Sequence, residues 1–293
     1  MTPSVDVICA DSRFLSLDLD KHFHLLATDA PYSPHVHSNA TSAGTGGVGT
    51  RKRDFGFDPL DDLLRERIAI AAANVQRWSV LFTDKESSHL WRDAATGAGA
   101  RYVRTVPWVR WSQPQKSGDR PTSGSEDVVT CHNAGAGRMH WNGPGSLVSF
   151  EEKSLRGAEK HPTEKPLDLM LSIVSWFSDP GEMVLDLTAG ACTTGLAARL
   201  LGRGALCVEL QECWAEAGAL RVVASLSDRD RVRAQLWAER WVREASAATA
   251  KPPKKHERKT HARALRRLAD ALHVANQVGL APLPLRRAEG WAA

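Results

Sequence analysis

Short apolar, β-branched runs that end on a polar or acidic residue recur along the chain, each followed by a loop or by apolar residues at helical spacing. Ser4–Ala10, Phe23–Thr28, Trp78–Thr83, Met183–Leu187 and Ala205–Glu209 read as strands. Leu60–Gln76, Lys165–Phe177 and Thr194–Leu201 read as helices between them. This alternation predicts an α/β fold whose mostly parallel sheet is covered on both faces. Arg101–Trp111 and Asp127–His132 read as an antiparallel pair at the sheet's edge, because Pro107 lacks the N–H that a central strand needs. Ligands of such sheets bind at the carboxyl ends of the strands, which directs attention to Asp11, Asp29, the Asp186–Thr194 turn and Glu209.

Two segments break the alternation. Residues 33–54 are rich in Gly, Ser, Thr and His and carry Arg51, Lys52 and Arg53, so a mobile basic loop is expected there. Residues 112–160 are rich in Gly, Pro and charge and are expected to form a small recognition region. The run KPPKKHERK at Lys251–Lys259 is far more basic than the body of the chain and marks a basic C-terminal extension, a solvated linker or a nucleic-acid-facing segment. Within that extension Leu265, Leu268 and Leu272 form one helical stripe beside Arg263, Arg266 and Arg267, the pattern of a docking or homodimer helix or of a charged solvated one.

The chain has 293 residues, 42% hydrophobic and 25% charged, which excludes a disordered or fibrous protein. Its net charge of +4 is compatible with an anionic partner without requiring one. No apolar run approaches the roughly 18 residues that span a bilayer, and Met1–Asp6 lacks a signal-peptide pattern, so a cytoplasmic protein with no membrane partner is expected. The five cysteines are scattered with no C-x-x-C pair, which argues against a disulfide framework or a zinc knuckle. His35 and His37 lack a third ligand and read as loop histidines, so no metal is expected.

Two strings carry chemistry. Asp29-Ala30-Pro31-Tyr32 follows an apolar run and combines an acidic acceptor, a carbonyl fixed by the following proline and an aromatic face, the groups needed to hold a planar exocyclic amine. An ordinary strand-to-turn exit would look the same. Asp186-Leu187-Thr188-Ala189-Gly190-Ala191-Cys192-Thr193-Thr194 runs from a strand into a helix through small residues, which lets backbone approach a nucleotide-like ligand, and Glu209 ends the next strand where it could accept both ribose hydroxyls. Trp108, Trp111 and Trp141 suit base stacking or core packing equally.

Together with His161-Pro162-Thr163-Glu164-Lys165-Pro166, these strings resemble the DNA amino-methyltransferase family, which modifies adenine N6 or cytosine N4. The motif order, DAPY, then HPTEKP, then DLTAGACTT, then GRGALCVEL, resembles the circularly permuted beta class over about Val5–Leu226, which implies a catalytic portion, 1–226, followed by a helical basic extension, 227–293. The resemblance implies a Rossmann-like fold, S-adenosylmethionine (SAM) as cofactor, DNA as partner and flipping of the target base. It implies that Asp29 and the Ala30 carbonyl hold the target amine, with Pro31 fixing the turn, and that Tyr32 stacks on the base. Glu209 would hold the ribose, Asp186 and Gly190 would shape the methionine pocket with Thr188, Cys192 and Thr193, Thr163 and Lys165 would lie near the cofactor carboxylate, and Asp11 would approach the cofactor adenine. Arg51, Lys52 and Arg53 would grip phosphates. The motif's initial Asp29 favours adenine N6 over cytosine N4; an RNA substrate is a further alternative, and a partner nuclease is left open.

The chain departs from the family pattern at Ala30, where a proline is usual, at Thr188, where a phenylalanine is usual, and at Cys192, where a glycine is usual. A side chain at position 192 is expected to crowd the cofactor. These departures motivate the alternative of a catalytically degenerate methyltransferase-fold protein that binds nucleic acid or regulates.

Overall fold

The computed structural model describes residues 4–34, 36, 41–43, 50–52, 57–110, 124–145, 147, 149–152 and 163–280. Strands β1 (Val5–Cys9), β2 (Leu25–Thr28), β5 (Trp78–Thr83), β6 (Ala100–Arg110), β7 (Ser125–Asn133), β8 (Phe150–Glu152), β9 (Met183–Asp186) and β10 (Gly204–Glu209) form an eight-stranded sheet in the order β1-β10-β9-β2-β5-β7-β6-β8. β1, β10, β9, β2 and β5 are parallel, β7 runs antiparallel to both β5 and β6, and β8 is parallel to β6. A separate hairpin pairs β3 (Thr41–Ala43) with β4 (Thr50–Lys52). The predicted mobile loop thus contains a short hairpin, with residues 35, 37–40, 44–49 and 53–56 outside the described residues.

The predicted strands and helices are present within two residues of their expected ends. Side chains alternate across the sheet with period 2. Leu25, Ala27, Val80, Phe82 and Val184 point to one hydrophobic cluster, while Leu26, Leu81, Leu185 and Val208 point to the other. Helices α2 (Asp62–Asn74) and α3 (Ser88–Gly97) cover the second face through Ile68, Ala71, Ala72, Trp91 and Ala95. The first face is covered by α4 (Leu167–Phe177) and α5 (Thr193–Leu200), while α6 (Glu212–Val223) packs against β1. A short helix, α1 (Leu19–His22), precedes β2.

The expected antiparallel pair is present, but β6 is not the outermost strand over its whole length. β8 pairs with Trp108–Arg110, beginning just past Pro107, whose missing N–H would have interrupted the ladder. Residues 134–145 follow β7 as a loop, and 112–123 and 153–160 lie outside the described residues.

The segment expected as a basic extension forms α7 (Asp228–Thr249) and α8 (Arg258–Gln277), which pack on each other and on α4. Trp237, Trp241, Val242, Ala271 and Val274 join the same hydrophobic cluster as the sheet. The leucine stripe expected on α8 is divided, with Leu268 and Leu272 partly buried against the core cluster. Leu265 is 48% exposed, whereas Ala264, Arg267, Asp270, Ala271, Val274 and Ala275 are buried. Small alanines permit close helix approach, and Asp270 fixes the rotation by accepting from fully buried Arg203 at 2.8 and 3.0 Å and from Ser175 Oγ at 2.8 Å. None of the described helices is long and apolar enough to cross a membrane.

Candidate functional site

A cavity of about 500 Å³ opens at the carboxyl ends of the parallel strands. Asp11, Asp29, Ala30, Pro31, Tyr32, Thr163, Lys165, Asp186, Thr188, Gly190, Thr193 and Glu209 all line it. Topology brings them together: β10, β9 and β2 are neighbours, and Glu209, Asp186 and Asp29 stand at or just after their ends.

Asp29 anchors one end. Its Oδ2 accepts from Lys165 Nζ at 2.5 Å, while buried Oδ1 has no hydrogen-bond partner among the described residues. Burial pushes the Asp29 pKa above the ordinary carboxylate value, with Lys165 opposing the shift and Glu126 adding to it. Burial works against the Lys165 ammonium too, yet Asp29 and Glu126 outweigh it and hold its pKa above the usual lysine value. Lys165 Nζ lies 3.3 Å from Glu126 Oε2 and 5.2 to 5.5 Å from the ring centres of Phe82, Tyr32 and Trp108. Tyr32 donates its hydroxyl to Glu126 Oε2. The expected assignment of Lys165 to the cofactor carboxylate therefore meets a different observation: its ammonium sits on Asp29 and Tyr32.

The other end is built around Asp186, which accepts from Thr28 Oγ1 at 2.9 Å, Thr194 Oγ1 at 2.5 Å and the Thr188 N–H at 3.1 Å. Burial raises its pKa to about 6 despite these donors. Thr188 also joins Thr28 at 2.8 Å between hydroxyls, so the residue standing in place of an apolar wall completes this polar network. Gly190, at φ +52, turns its N–H onto Glu209 Oε2 at 2.8 Å, and Gln211 donates to Oε1 at 2.9 Å. Asp11 is gripped by Arg13, whose Nη2 approaches to 2.6 Å, and this hydrogen bond holds the Asp11 carboxyl below its ordinary pKa. Arg13 also reaches Asp61 Oδ2 at 2.9 Å, tying the turn after β1 to the start of α2.

Cys192 departs from expectation. It adopts the left-handed conformation, φ +55, that a glycine would take without strain, but its side chain turns away from the cavity into the core. A Cβ placed on Gly195 would lie 2.6 Å from Cys192 Sγ, and one on Gly218 would lie 2.8 Å from Cys192 Cβ. The bulk expected to crowd the cofactor is instead housed by two glycines on α5 and α6. The cavity wall here is formed by Ala191 and Thr193.

Glu126, Arg221 and Phe82 contribute to the site without having stood out in the sequence. Glu126 lies on β7 with the same facing parity as core residue Val128, and an acid on the core side of a strand was the signal available. Arg221 donates to the Ala191 carbonyl at 2.9 Å and Thr193 Oγ1 at 3.1 Å, and pairs with Glu164 and Asp230, each at 2.9 Å. It thereby joins the glycine loop, the segment carrying Lys165 and the start of α7. Phe82 and Trp108 complete the aromatic walls, while Trp141 packs against Trp176 and Phe177 and is core. Trp111, His35, His37 and Arg53 lie outside the described residues, as do the side chains of Arg51 and Lys52, whose backbone forms β4.

A family model described as DNA methylase, for the N6 and N4 enzymes, matches residues 73–219. DNA adenine methyltransferase YhdJ of Escherichia coli (strain K12) is 39% identical over 85 residues, 28% of this chain and 29% of that protein. The aligned stretch thus spans less than a third of that relative. The crystal structure of the M1.HpyAVI–SAM complex shares the fold at TM-score 0.55 and 21% identity, covering 75% of this chain and 100% of that one. PvuII DNA methyltransferase (cytosine-N4-specific) does so at TM-score 0.55 and 14% identity, covering 80% and 93%.

Two outcomes follow from this geometry. Gly218→Ala is expected to destabilise the protein by roughly 1–3 kcal/mol through its clash with Cys192, and Cys192→Gly should restore most of that loss in the double variant, measured by denaturant unfolding. Additive effects would show that the two positions do not compete for space. For Asp186, a folded-state pKa of about 6 above the unfolded carboxylate value means that the folded form binds the extra proton between those values. Stability is therefore lost as pH rises through that window and stays lost above it. Asp186→Asn should gain up to about 3 kcal/mol over wild type at pH 7 and nothing near pH 3; a gain that did not vary with pH would contradict this.

Proposed function

Because the chain belongs to the DNA methylase family of adenine-N6 and cytosine-N4 amino-methyltransferases, we propose that it methylates an exocyclic amino group of DNA, adenine N6 in preference to cytosine N4, using SAM. The observation that carries this reading is the buried Asp29 Oδ1, an acceptor with no partner among the described residues, on a residue that lines a cavity large enough for a ligand. The amine-motif Asp29 and the similarity to an adenine methyltransferase both favour adenine.

The residues fit the cofactor. Glu209 stands at a strand end and lines the cavity with its carboxylate oriented by the Gly190 and Gln211 N–H groups, Gly190 presents bare backbone, and Asp186 supplies buried negative charge beside it. SAM, when bound, supplies the sulfonium methyl group. The chain's own residues prepare the acceptor. Asp29 Oδ1 accepts an N–H of the target amine and, with the Ala30 carbonyl, draws its lone pair out of conjugation with the ring, which restores nucleophilicity. Burial raises the Asp29 pKa, so the same carboxylate can take up the amine proton as the new N–C bond forms and release it to solvent. Tyr32 offers its ring face to a base rotated out of the duplex. Thr188 and Cys192 do not obstruct this scheme, since one is bound into the Asp186 network and the other is turned into the core. A cytoplasmic location, where DNA and SAM meet, belongs to the same proposal.

Incubation with unmethylated DNA and isotopically labelled SAM, followed by nucleoside mass spectrometry, tests the reading. Labelled N6-methyladenine is expected. Labelled N4-methylcytosine would reassign the base, and no labelled nucleoside would end the proposal. Asp29→Asn should lower turnover on the order of 10²-fold or more while retaining SAM affinity, and wild-type turnover in that variant would remove Asp29 from the mechanism. DNA is proposed to be gripped through Arg51, Lys52 and Arg53. Replacing all three with Ala should weaken binding to unrelated duplexes alike and reduce the slope of log K against log salt by about 0.9 for each phosphate that is no longer neutralised; an unchanged slope would place the grip elsewhere.

A further inference from the structure

The site at Asp29 contains a second buried carboxylate that amine binding alone does not require. Glu126 comes from β7, the antiparallel strand, and is 8% exposed. Its Oε2 is shared by the Tyr32 hydroxyl and by the Lys165 ammonium at 3.3 Å. An ammonium has three donors. Those of Lys165 find Asp29 Oδ2 at 2.5 Å, Glu126 Oε2 at 3.3 Å and the Tyr32 hydroxyl oxygen at 3.4 Å. Oδ1 is left over. Removing Glu126 would take away the ammonium's carboxylate partner on β7, leaving it freer to slide across Asp29 and engage both oxygens, closing the acceptor that the incoming amine needs.

We propose that Glu126 is a positioning residue of the amine site, holding the Lys165 ammonium and the Tyr32 hydroxyl so that Lys165 neutralises Asp29 through Oδ2 alone and Oδ1 stays open. The inference rests on the reading that Asp29 receives the target amine. The charged groups around Asp29 are Lys165 from the segment before α4, Glu126 from β7 and Asp186 from β9, with the Tyr32 hydroxyl beside them. Lys165 and Glu126 act on Asp29 with opposite sign, and that opposition separates an electrostatic positioning role from simple packing.

The test uses the full-length protein labelled with ¹³C at aspartate carboxyls, the Asp29 signal being identified by its loss in Asp29→Asn. Glu126→Gln is expected to lower the Asp29 titration midpoint and Lys165→Met to raise it, each by about one pH unit or more, while Lys165→Arg stays near wild type. If Glu126→Gln fails to fold, Glu126→Asp, which keeps the charge but draws it back, should give a smaller downward shift. No shift at position 126, or shifts of the same sign in the Glu126 and Lys165 variants, would overturn the proposal. This titration needs neither DNA nor SAM, so it stands apart from the methylation assay: an inactive wild type would defeat the functional reading and leave the charge geometry measured. In an active enzyme, Glu126→Gln should reduce kcat about tenfold or more with KM for SAM unchanged, and the acidic limb of its pH profile should move down with the titration midpoint. A rise in KM at constant kcat would instead assign Glu126 to cofactor binding.

Discussion

Neighbouring parallel strands of this sheet, β1, β10, β9, β2 and β5, each lead into a carboxylate: Asp11, Glu209, Asp186, Asp29 and Asp84. Like charges in a row at the rim of a low-dielectric core repel one another, and each must be neutralised or hydrogen-bonded for the sheet to form. The solutions differ along the row. Asp11 has Arg13, Glu209 has the Gly190 and Gln211 N–H groups, Asp186 has threonine hydroxyls, Asp29 has Lys165, and Asp84 caps the short 3₁₀ turn Lys85–Ser87 through the Ser87 N–H. Because the partners differ, so do the chemistries. Burial pushes Asp186 up to about 6, its neutral donors only partly opposing the rise, whereas the more exposed Asp11 is pulled down by its hydrogen bond from the Arg13 guanidinium.

Holding that row requires elements far apart in sequence. Lys165 reaches Asp29 because the segment before α4 is clamped at Glu164 by Arg221 and Arg229, and Arg221 in turn fastens the Ala191 carbonyl and Thr193. Asp230, at the start of α7, closes the cluster, and Arg233 pairs with Asp168 one turn further along. The C-terminal helices are therefore part of the machinery that sets the two ends of the cavity against each other, and the buried Arg203–Asp270 pair locks them onto the sheet. A buried ion pair of this kind contributes less to net stability than to fixing one arrangement, because breaking it would leave an uncompensated charge in the core.

The strands, most helices and the cavity-lining motifs were legible because period and strand-end chemistry are local properties of the chain. Asp29, Asp186 and Glu209 could be placed at one rim from the βα alternation alone. What could not be read was which side chain faces which across the fold. Lys165 lay in a recognisable string, yet its partner is more than a hundred residues away, just after β2. Cys192 looked obstructive because the space made by Gly195 and Gly218 is visible only when α5 and α6 are packed. The apolar stripe of α8 left its role open for a related reason: which face is buried is set by alanines and a buried ion pair whose partner lies elsewhere in the chain.

The turn Asp29–Tyr32 shows how the unused acceptor survives folding. Pro31 restricts the residue before it to extended conformations, so Ala30 needs no ring of its own to hold the turn. Ala30 is 3% exposed and belongs to the cluster of Leu26, Leu60 and Leu187, and the Tyr32 carbonyl accepts from the Leu60 N–H at 3.1 Å. Dihedral restriction, burial and a backbone bond each constrain the same four residues, which leaves Asp29 little freedom to swing toward a second donor. A buried carboxylate with one oxygen unsatisfied is unfavourable by on the order of 1–3 kcal/mol, and relaxation of the turn would ordinarily remove that penalty. These constraints oppose that relaxation, and under the proposed function the missing hydrogen bond is the one the target amine would complete, so that energy withheld from folding would become available to binding.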